Sequence, residues 1–445
     1  MHKPHVRIFM GPTEIAGQYR NLALAMLEQG VDCNYYTFYQ NEFNYGGDIG
    51  SSKIPAWMRK IHTFGKKGSV IRRISSVGIF ELLRVIFFAI HFHKYDVFYF
   101  GFGASLLRWN IDLPILRMFN KKIIANLSHG SDMTPSYLNG ALMDADMTMP
   151  STRKLVKSTF AMRRRLRRFE RNANVIIGSP LSSSFLSHKP YVDIIRLGRT
   201  CQAQNKPSIE HLGGSNVLPE DGVVDLKDTS KTFHFMHIPS HSPGKGTSVI
   251  REAMNKIVVE YPFVKYTELS GLSNREVLSS LADADLLIDQ VYSDLPLSGI
   301  GMEAFVMGVP VLICGYGLSG LKSKYSPNIF PPTIISHPDE LAERLRLLIE
   351  QPTALNEAKR NSANFVETIW SKQEVVKRYF QLFTCSDFPV DWWHDPKNYI
   401  YIHGYGLSEQ RIKCILKDVL CTYGKSELCL SHRPDLENAI STFVR

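Results

Sequence analysis

The 445-residue chain predicts an α/β protein of two Rossmann-like domains, and three observations carry that reading. The length exceeds the roughly 250–300 residues at which one hydrophobic core stops growing. Short apolar strands alternate with amphipathic helices, the order that builds parallel sheets covered on both faces. The alternation runs twice, with a tract rich in Gly, Pro, Ser and Asn between the two series. A composition of 44% hydrophobic and 21% charged residues is that of a packed globular chain, without repeats or low-complexity tracts.

The first series opens with VRIFMGPTEIAGQYRNLALAMLEQGVDCNYYTF, a strand, a glycine turn, a helix and a second strand. ELLRVIFFAIHFHKYD is helix-like, VFYFGFG strand-like, and KKIIANLSHGSD supplies a strand ending in a polar turn. Residues 1–195 are the expected first domain and 196–230 the connection. Residues 231–372 form the second domain: FHFMHIP (strand), KGTSVIREAMNKIVVEY (helix), VKYTELSG (strand), NREVLSSLADA (helix), DLLIDQ (strand), GIGMEAFVMG (helix start) and VPVLICG (strand). HPDELAERLRLLIEQ and the long SANFVETIWSKQEVVKRYFQLF close it. Residues 373–445 are the end of that last helix and an extension, with a helix at SEQRIKCILKDVL and no evident chemistry.

The net charge of +10 is unevenly placed. Residues 1–195 carry 26 Lys and Arg against 13 Asp and Glu, whereas residues 196–445 carry 26 against 29. The basic half therefore points to an anionic partner. Seven dispersed cysteines, an odd number with no C-x2-C pair, fit a reducing cytosol and organise no zinc. The N-terminal segment lacks a secretory apolar core, and the longest apolar stretch, Val85 to Phe92, is far shorter than the ~20 residues of a membrane span. The expected location is cytoplasmic, peripheral on the inner face of the plasma membrane.

Ligands of open parallel sheets bind beyond the carboxyl ends of the strands, so the polar strand-to-helix turns are the candidate sites. In GPTEIAGQ, Gly11 and Gly17 allow close backbone approach, and the next helix would offer N–H groups to an anion, or the segment is a plain tight turn. In LSHGSD, His129 could meet a sugar hydroxyl or phosphate oxygen, or merely cap the following segment. In HIPSHSPGKGT, Lys245 at a helix start would clamp a diphosphate, although such lysines are commonly just solvated. The loop Glu268 to Asn274 lies where a nucleotide base could stack. In DQVYSDLPLSGIGMEAFVMGVPVL, Gly299 and Gly301 precede a helix whose first turn carries Glu303, placed either as a dipole partner or to bind ribose hydroxyls.

Across residues 6–385 these elements resemble, in kind and order, the group 1 glycosyltransferases of GT-B architecture, two Rossmann-like domains facing a cleft. KGTSVI resembles the family's donor-diphosphate lysine motif, which implies Lys245. EAFVMGVPV resembles its E-A-x-x-x-G-x-P-V element, which implies Glu303 as the ribose-binding carboxylate. VLPEDGVVDL resembles the interdomain P-x-G-V-D segment, and Gly11 to Gln18 the N-terminal glycine loop. The resemblance further implies donor contacts at Gly17, Gly299 and Gly301 and catalytic roles for His129 and Lys245. It implies transfer with retention from a nucleotide sugar to a glycan or lipid-linked acceptor in surface polysaccharide or glycoconjugate synthesis, with no cofactor or metal. Two positions depart from the pattern: Leu295 stands where retaining members carry a first glutamate, and Ser240 where an arginine is usual. Some surface-polysaccharide members share a D-Q tract, here Asp289–Gln290. The Asp-x-Asp strings at Asp144/Asp146 and Asp283/Asp285 could suggest a metal-bound diphosphate, but the second fits a solvated turn.

No acidic residue falls between Asp48 and Glu81, while Lys53, Arg59, Lys60, Lys66, Lys67, Arg72 and Arg73 occur there with Trp57 and Phe64. AMRRRLRRFERNA places Met162, Leu166, Phe169 and Ala173 at helical spacing between arginines. Both segments read as amphipathic basic surfaces for an anionic membrane, where each well-placed Lys or Arg contributes about 1 kcal/mol. The alternative is a helix docking its apolar stripe on its own domain. Nucleic acid is not expected, since no aromatic platform accompanies the charge. Rival function classes are a non-catalytic sugar-nucleotide-binding subunit, a nicotinamide oxidoreductase, disfavoured by the missing G-x-G-x-x-G, and a sugar-nucleotide epimerase.

Overall fold

The computed structural model describes residues 6–40, 45–66, 69–200 and 232–445. The first series comprises β1 (Ile8–Gly11), α1 (Gln18–Glu28), β2 (Cys33–Tyr35), α2 (Ile54–Lys66), α3 (Val70–His91), β3 (Val97–Gly101), α4 (Asp112–Met118), β4 (Lys122–Asn126), α5 (Thr152–Asn172), β5 (Val175–Gly178), β6 (Tyr191–Asp193) and α6 (Ile194–Leu197). The second comprises β7 (Phe233–His237), α7 (Ser242–Lys245), α8 (Thr247–Glu260), β8 (Val264–Glu268), α9 (Asn274–Leu281), β9 (Leu286–Gln290), α10 (Gly299–Val306), β10 (Val311–Cys314), α11 (Leu318–Lys322), β11 (Ile334–Ser336), α12 (Leu341–Glu350) and α13 (Pro352–Thr368). The chain ends with α14 (Lys372–Thr384), β12 (Trp393–His394), α15 (Glu409–Thr422) and α16 (Pro434–Val444).

Two sheets result, one ordered β2-β1-β3-β4-β5-β6-β12 and the other β8-β7-β9-β10-β11. Every pairing is parallel except β12 with β6. Counted from its own first strand, each sheet begins 2-1-3-4-5, a doubly wound order whose chain direction reverses between strands 1 and 3. That reversal opens a crevice at the carboxyl ends of β1 and β3 in one sheet and of β7 and β9 in the other. The two alternating series expected from the sequence are thus present as two α/β units.

Among the described residues the first unit comprises those within 6–133, 160–200 and 372–398, and the second those within 134–159, 232–371 and 399–445. These limits differ from the expected ones in three places. Residues 134–159 leave the first domain because Tyr137 Oη donates to the Leu428 carbonyl at 2.8 Å and the Gly140 N–H to that of Tyr405 at 2.7 Å. The expected long closing helix is broken between Thr368 and Lys372, and α14 packs with the first unit, Phe383 against Tyr99. β12 then extends the first sheet, Trp393 opposite Val192. The expected connection lies mostly outside the described residues, as does VLPEDGVVDL.

The first core is aromatic: Phe9 touches Tyr36, Phe87, Tyr95, Phe98 and Phe100 with ring centroids 5.6–6.2 Å apart. The second is mainly aliphatic, with Ile250, Met254 and Ile257 of α8 and Leu345 and Ile349 of α12 against Leu286, Ile288 and Leu312. On α5, Met162, Leu166 and Phe169 are buried. Its apolar stripe docks on the protein itself and is not offered to a membrane.

Candidate donor site

In the second unit the crevice between β7 and β9 is assembled from the turn after each strand. β7 ends at His237, which is fully buried. Its Nδ1 donates to the Ile288 carbonyl at 2.8 Å, and its Nε2 accepts from Thr247 Oγ1 at 2.9 Å. Burial lowers the imidazole to about 4, so the neutral ring ties β7, β9 and the start of α8 together. His241 caps the short α7, its Nδ1 accepting from the Gly244 N–H at 3.1 Å while Nε2 donates to the Met143 carbonyl. Lys245 closes α7 and does not open the longer helix, which starts at Thr247 after Gly246, with φ of 71°. A side chain at Gly246 would meet Val291 Cβ at 2.9 Å, so the positive φ and the close approach both demand glycine.

Lys245 is buried, with 6% of its surface exposed, and its Nζ lies 2.6 Å from Asp289 Oδ1 at the end of β9. The Val291 N–H donates to the Lys245 carbonyl at 3.0 Å, fastening the two switch-point turns to each other. Asp289 Oδ2 is also buried and has no hydrogen-bond partner among the described residues. It faces Gly301, where a Cβ would approach to 3.4 Å. An ionised carboxylate oxygen shut away from water without a donor is costly, and its ordinary remedy is an N–H or O–H from a ligand.

α10 supplies the third wall. Ser298 caps it, its hydroxyl accepting from the Gly301 N–H at 3.2 Å. Gly299 is the first helical residue, so Glu303 sits in the second turn, not the first, and is no partner of the helix dipole. Instead Glu303 is buried, and its Oε1 accepts from Asn274 Nδ2 at 2.6 Å. Burial pushes this carboxyl up to about 7, with the Asn274 bond opposing. The loop ending at Asn274 is therefore joined to Glu303, a link that nothing in ELSGLSN announced.

The two departures from the resemblance have distinct structural forms. Ser240 is exposed. Leu295 is half-buried, whereas its neighbour Asp294 is fully buried and accepts from Thr134 Oγ1 at 3.4 Å. The C-terminal extension also reaches this region: the Gly406 N–H donates to the Tyr292 carbonyl at 2.9 Å, and Tyr405 N–H to that of Leu138 at 3.0 Å. Charges on Asp294 and Asp289 help to hold the buried Tyr405 phenol well above its usual range, after burial itself. Both Asp-x-Asp strings are turn structure. Asp146 Oδ1 accepts from the Thr148 N–H and hydroxyl, and Asp285 Oδ2 from the His234 N–H at 2.9 Å. Among the described residues no group of three His, Cys, Asp or Glu could hold a metal.

In the first unit the crevice between β1 and β3 holds His129, whose side chain is 5% exposed. Its Nδ1 lies 3.3 Å from Asp132 Oδ2, and its Nε2 is 3.1 Å from Gln18 Oε1 and 3.5 Å from Tyr19 Oη. The imidazole thus joins Asp132 of its own turn to Gln18 at the start of α1. Gly17 precedes α1 with φ of 71°, and Tyr45 packs where its side chain would stand, at 2.8 Å. The helix start is not open to an anion as expected, because Glu14 accepts from the Tyr19 and Arg20 N–H groups at 3.3 and 3.0 Å. Burial pushes Glu14 up to about 7. A separate cavity of about 510 Å³, lined by Arg117, Lys121, Lys122 and Trp393 among others, includes Lys122 at the opposite, amino end of β4.

Two doubly wound sheets, each with buried polar side chains at its switch point, define the chain as a two-unit Rossmann-like α/β protein. No family model matches it, and no curated protein matches it. Among solved structures it is similar to HepE from Anabaena in complex with UDP, at 12% identity over 85% of this chain and 99% of that one, with a TM-score of 0.43. MnaA from S. aureus with UDP gives 12% identity over 86% and 98%, with a TM-score of 0.41. The glycotransferase of kitacinnamycin gives 11% over 84% and 98%, with a TM-score of 0.40.

Proposed function

We propose that this chain is a glycosyltransferase that moves a sugar from a nucleotide-sugar donor to a glycan or lipid-linked acceptor, with retention, in surface polysaccharide or glycoconjugate synthesis. The observation that carries the reading is the pairing at the second switch point of a buried ammonium, Lys245 Nζ, with a buried carboxylate oxygen that lacks a donor, Asp289 Oδ2. A nucleotide sugar presents both complements, anionic diphosphate oxygens and hydroxyl donors. Lys245 would stabilise the diphosphate as it departs, and Glu303 would accept from ribose hydroxyls. Gly299 and Gly301 let the donor approach the start of α10. The protein's work is to position the donor and neutralise the leaving group, with no metal or other cofactor. His129, backed by Asp132, would meet the transferred sugar or its acceptor. The enzyme would be cytoplasmic, and its basic first half would hold it peripherally on the inner face of an anionic membrane, near a lipid-linked acceptor.

Calorimetric titration with UDP-, GDP- and ADP-sugars tests the donor reading. At least one should bind, and addition of lipid extract should release free nucleotide, a turnover lost in Glu303→Ala. Binding without turnover under any acceptor would favour the alternative of a non-catalytic sugar-nucleotide-binding subunit. A converted sugar formed without acceptor would favour an epimerase. Absence of binding by every nucleotide sugar would defeat the proposal.

A further inference from the structure

α3 is two-faced. Phe80, Arg84, Phe87, Phe88 and His91 turn inward, Phe87 onto Phe9, Tyr36 and Phe38, while Arg84 donates to the Leu106 and Ser105 carbonyls at 2.7 and 3.1 Å. The opposite face is a continuous apolar row in solvent: Val70 is 74% exposed, Ile71 78%, Ile74 68% and Leu82 58%, and Val77, Val85 and Ile90 follow. At 100° per residue Val70, Ile71, Ile74, Val77, Leu82 and Val85 share an arc of about 140°, and Phe80, Arg84, Phe87 and His91 share the adjoining arc of about 60°. α2 packs beside it, with Gly65 so close that a Cβ would lie 2.7 Å from Ser76 Cβ, and adds exposed Trp57 and Phe64. Folded monomers rarely leave so long an apolar row uncovered.

We propose that the α2–α3 pair is a docking surface for an anionic lipid bilayer, with α3 lying in the plane of the interface. The inference rests on the membrane reading above and gives it a surface, on α2 and α3 instead of α5. Charge selects the occupant. Lys53, Lys60, Lys66, Arg72 and Arg73 are exposed on or beside the two helices, and none forms an ion pair among the described residues. Two copies of this face would bring those five cations together against one acid per copy, Glu81, which is already paired with Arg84 at 3.6 Å, and this disfavours self-association. A bilayer with anionic headgroups satisfies both halves of the pattern, taking the apolar row among its acyl chains and the cations at its phosphates. α3 has the length and mean hydropathy of a membrane span, 1.7 over 18 residues. It lies on the bilayer and does not cross it, because its inner face is locked to the sheet by Arg84 and Phe87, and β3 follows His91 after only a short turn.

The test is co-sedimentation of the full chain with phosphatidylglycerol/phosphatidylcholine vesicles and with phosphatidylcholine alone. Wild type should bind the anionic vesicles more tightly. Ile71→Glu/Ile74→Glu/Leu82→Glu and, separately, Arg72→Glu/Arg73→Glu should each weaken binding more than about tenfold. Arg164→Glu/Arg171→Glu on α5 should change it by less than about threefold. Cooperative melting and an unchanged thermal shift with the bound nucleotide sugar show that the variants are folded. Vesicle binding that survives the triple substitution overturns the proposal. So does a dimer that the triple substitution dissociates while wild type ignores vesicles, since the row would then be a self-interface. If vesicles bind as described but no nucleotide sugar does, the docking surface stands and the donor reading falls.

Discussion

Replacing Lys245 with methionine keeps the length of the side chain and removes its charge. Asp289, whose Oδ1 accepts from Lys245 Nζ at 2.6 Å and whose Oδ2 already lacks a partner, is then left as an uncompensated buried carboxylate. Breaking a buried ion pair from one side costs about 3 kcal/mol. For a unit of this size each kcal/mol lowers the melting temperature by about 2–4 °C, so Lys245→Met should melt about 6–12 °C early. Nucleotide-sugar affinity should fall at least about thirtyfold, the equivalent of about 2 kcal/mol for a lost charge-assisted contact. Lys245→Met/Asp289→Asn separates the two effects. Removing the stranded charge should restore most of the stability and none of the affinity. Differential scanning calorimetry and titration calorimetry on the two variants read both quantities. A Lys245→Met protein that binds every nucleotide sugar as wild type does would refute the diphosphate role. A double variant no more stable than the single would refute the account of Asp289.

Glu303 sets a pH dependence whose sign follows from burial. Its folded-state carboxyl is raised to about 7, so the folded protein holds more protons than the unfolded chain between about 4.5 and 7. Its contribution to stability is therefore complete below about 4.5, declines as pH rises through 7, and is flat above that. Glu303→Gln should remove this slope, about 2.5 kcal/mol in urea unfolding between pH 5 and 8, leaving the share due to Glu14, which is raised in the same range. Gly140→Ala tests the seating of the C-terminal extension, because the added Cβ would stand 2.4 Å from the Gly406 carbonyl oxygen, a backbone atom with little room to yield. The variant should lose about 1–3 kcal/mol and expose residues 399–407 to limited proteolysis.

Much of the fold could be read directly from local pattern. The strands FHFMH and LLIDQ are apolar runs bounded by turn residues, and α8 carries its buried positions at Ile250, Met254 and Ile257 with helical spacing. α3 could not be read so well, because its exposed half is as apolar as its buried half. The periodicity that marks an amphipathic helix is weak there, and the expected helix was confined to its second half. On α5 the period was correct, but the same stripe suits a membrane or a protein core, and only burial of Phe169 distinguishes them. Of the site, Lys245, Gly301 and Glu303 stood out by motif, whereas Asn274, Asp294 and Tyr405 had no local signature. Their partners Glu303 and Thr134, and the Leu138 carbonyl that Tyr405 meets, are 29, 160 and 267 positions away.

Two series of alternating strands and helices, the unequal charge of the halves, and the turns at which polar chemistry would gather are all legible in the chain without its fold. These follow from periodicity, composition and the conformational freedom of glycine, all properties of short segments. Tertiary structure alone decided that Lys245 meets Asp289, that Glu303 is buried in a second helical turn and held by Asn274, that residues 134–159 and 399–445 belong to the second unit, and that the uncovered apolar surface is on α3. Each of those depends on which distant groups share a low-dielectric interior, and no local pattern encodes that.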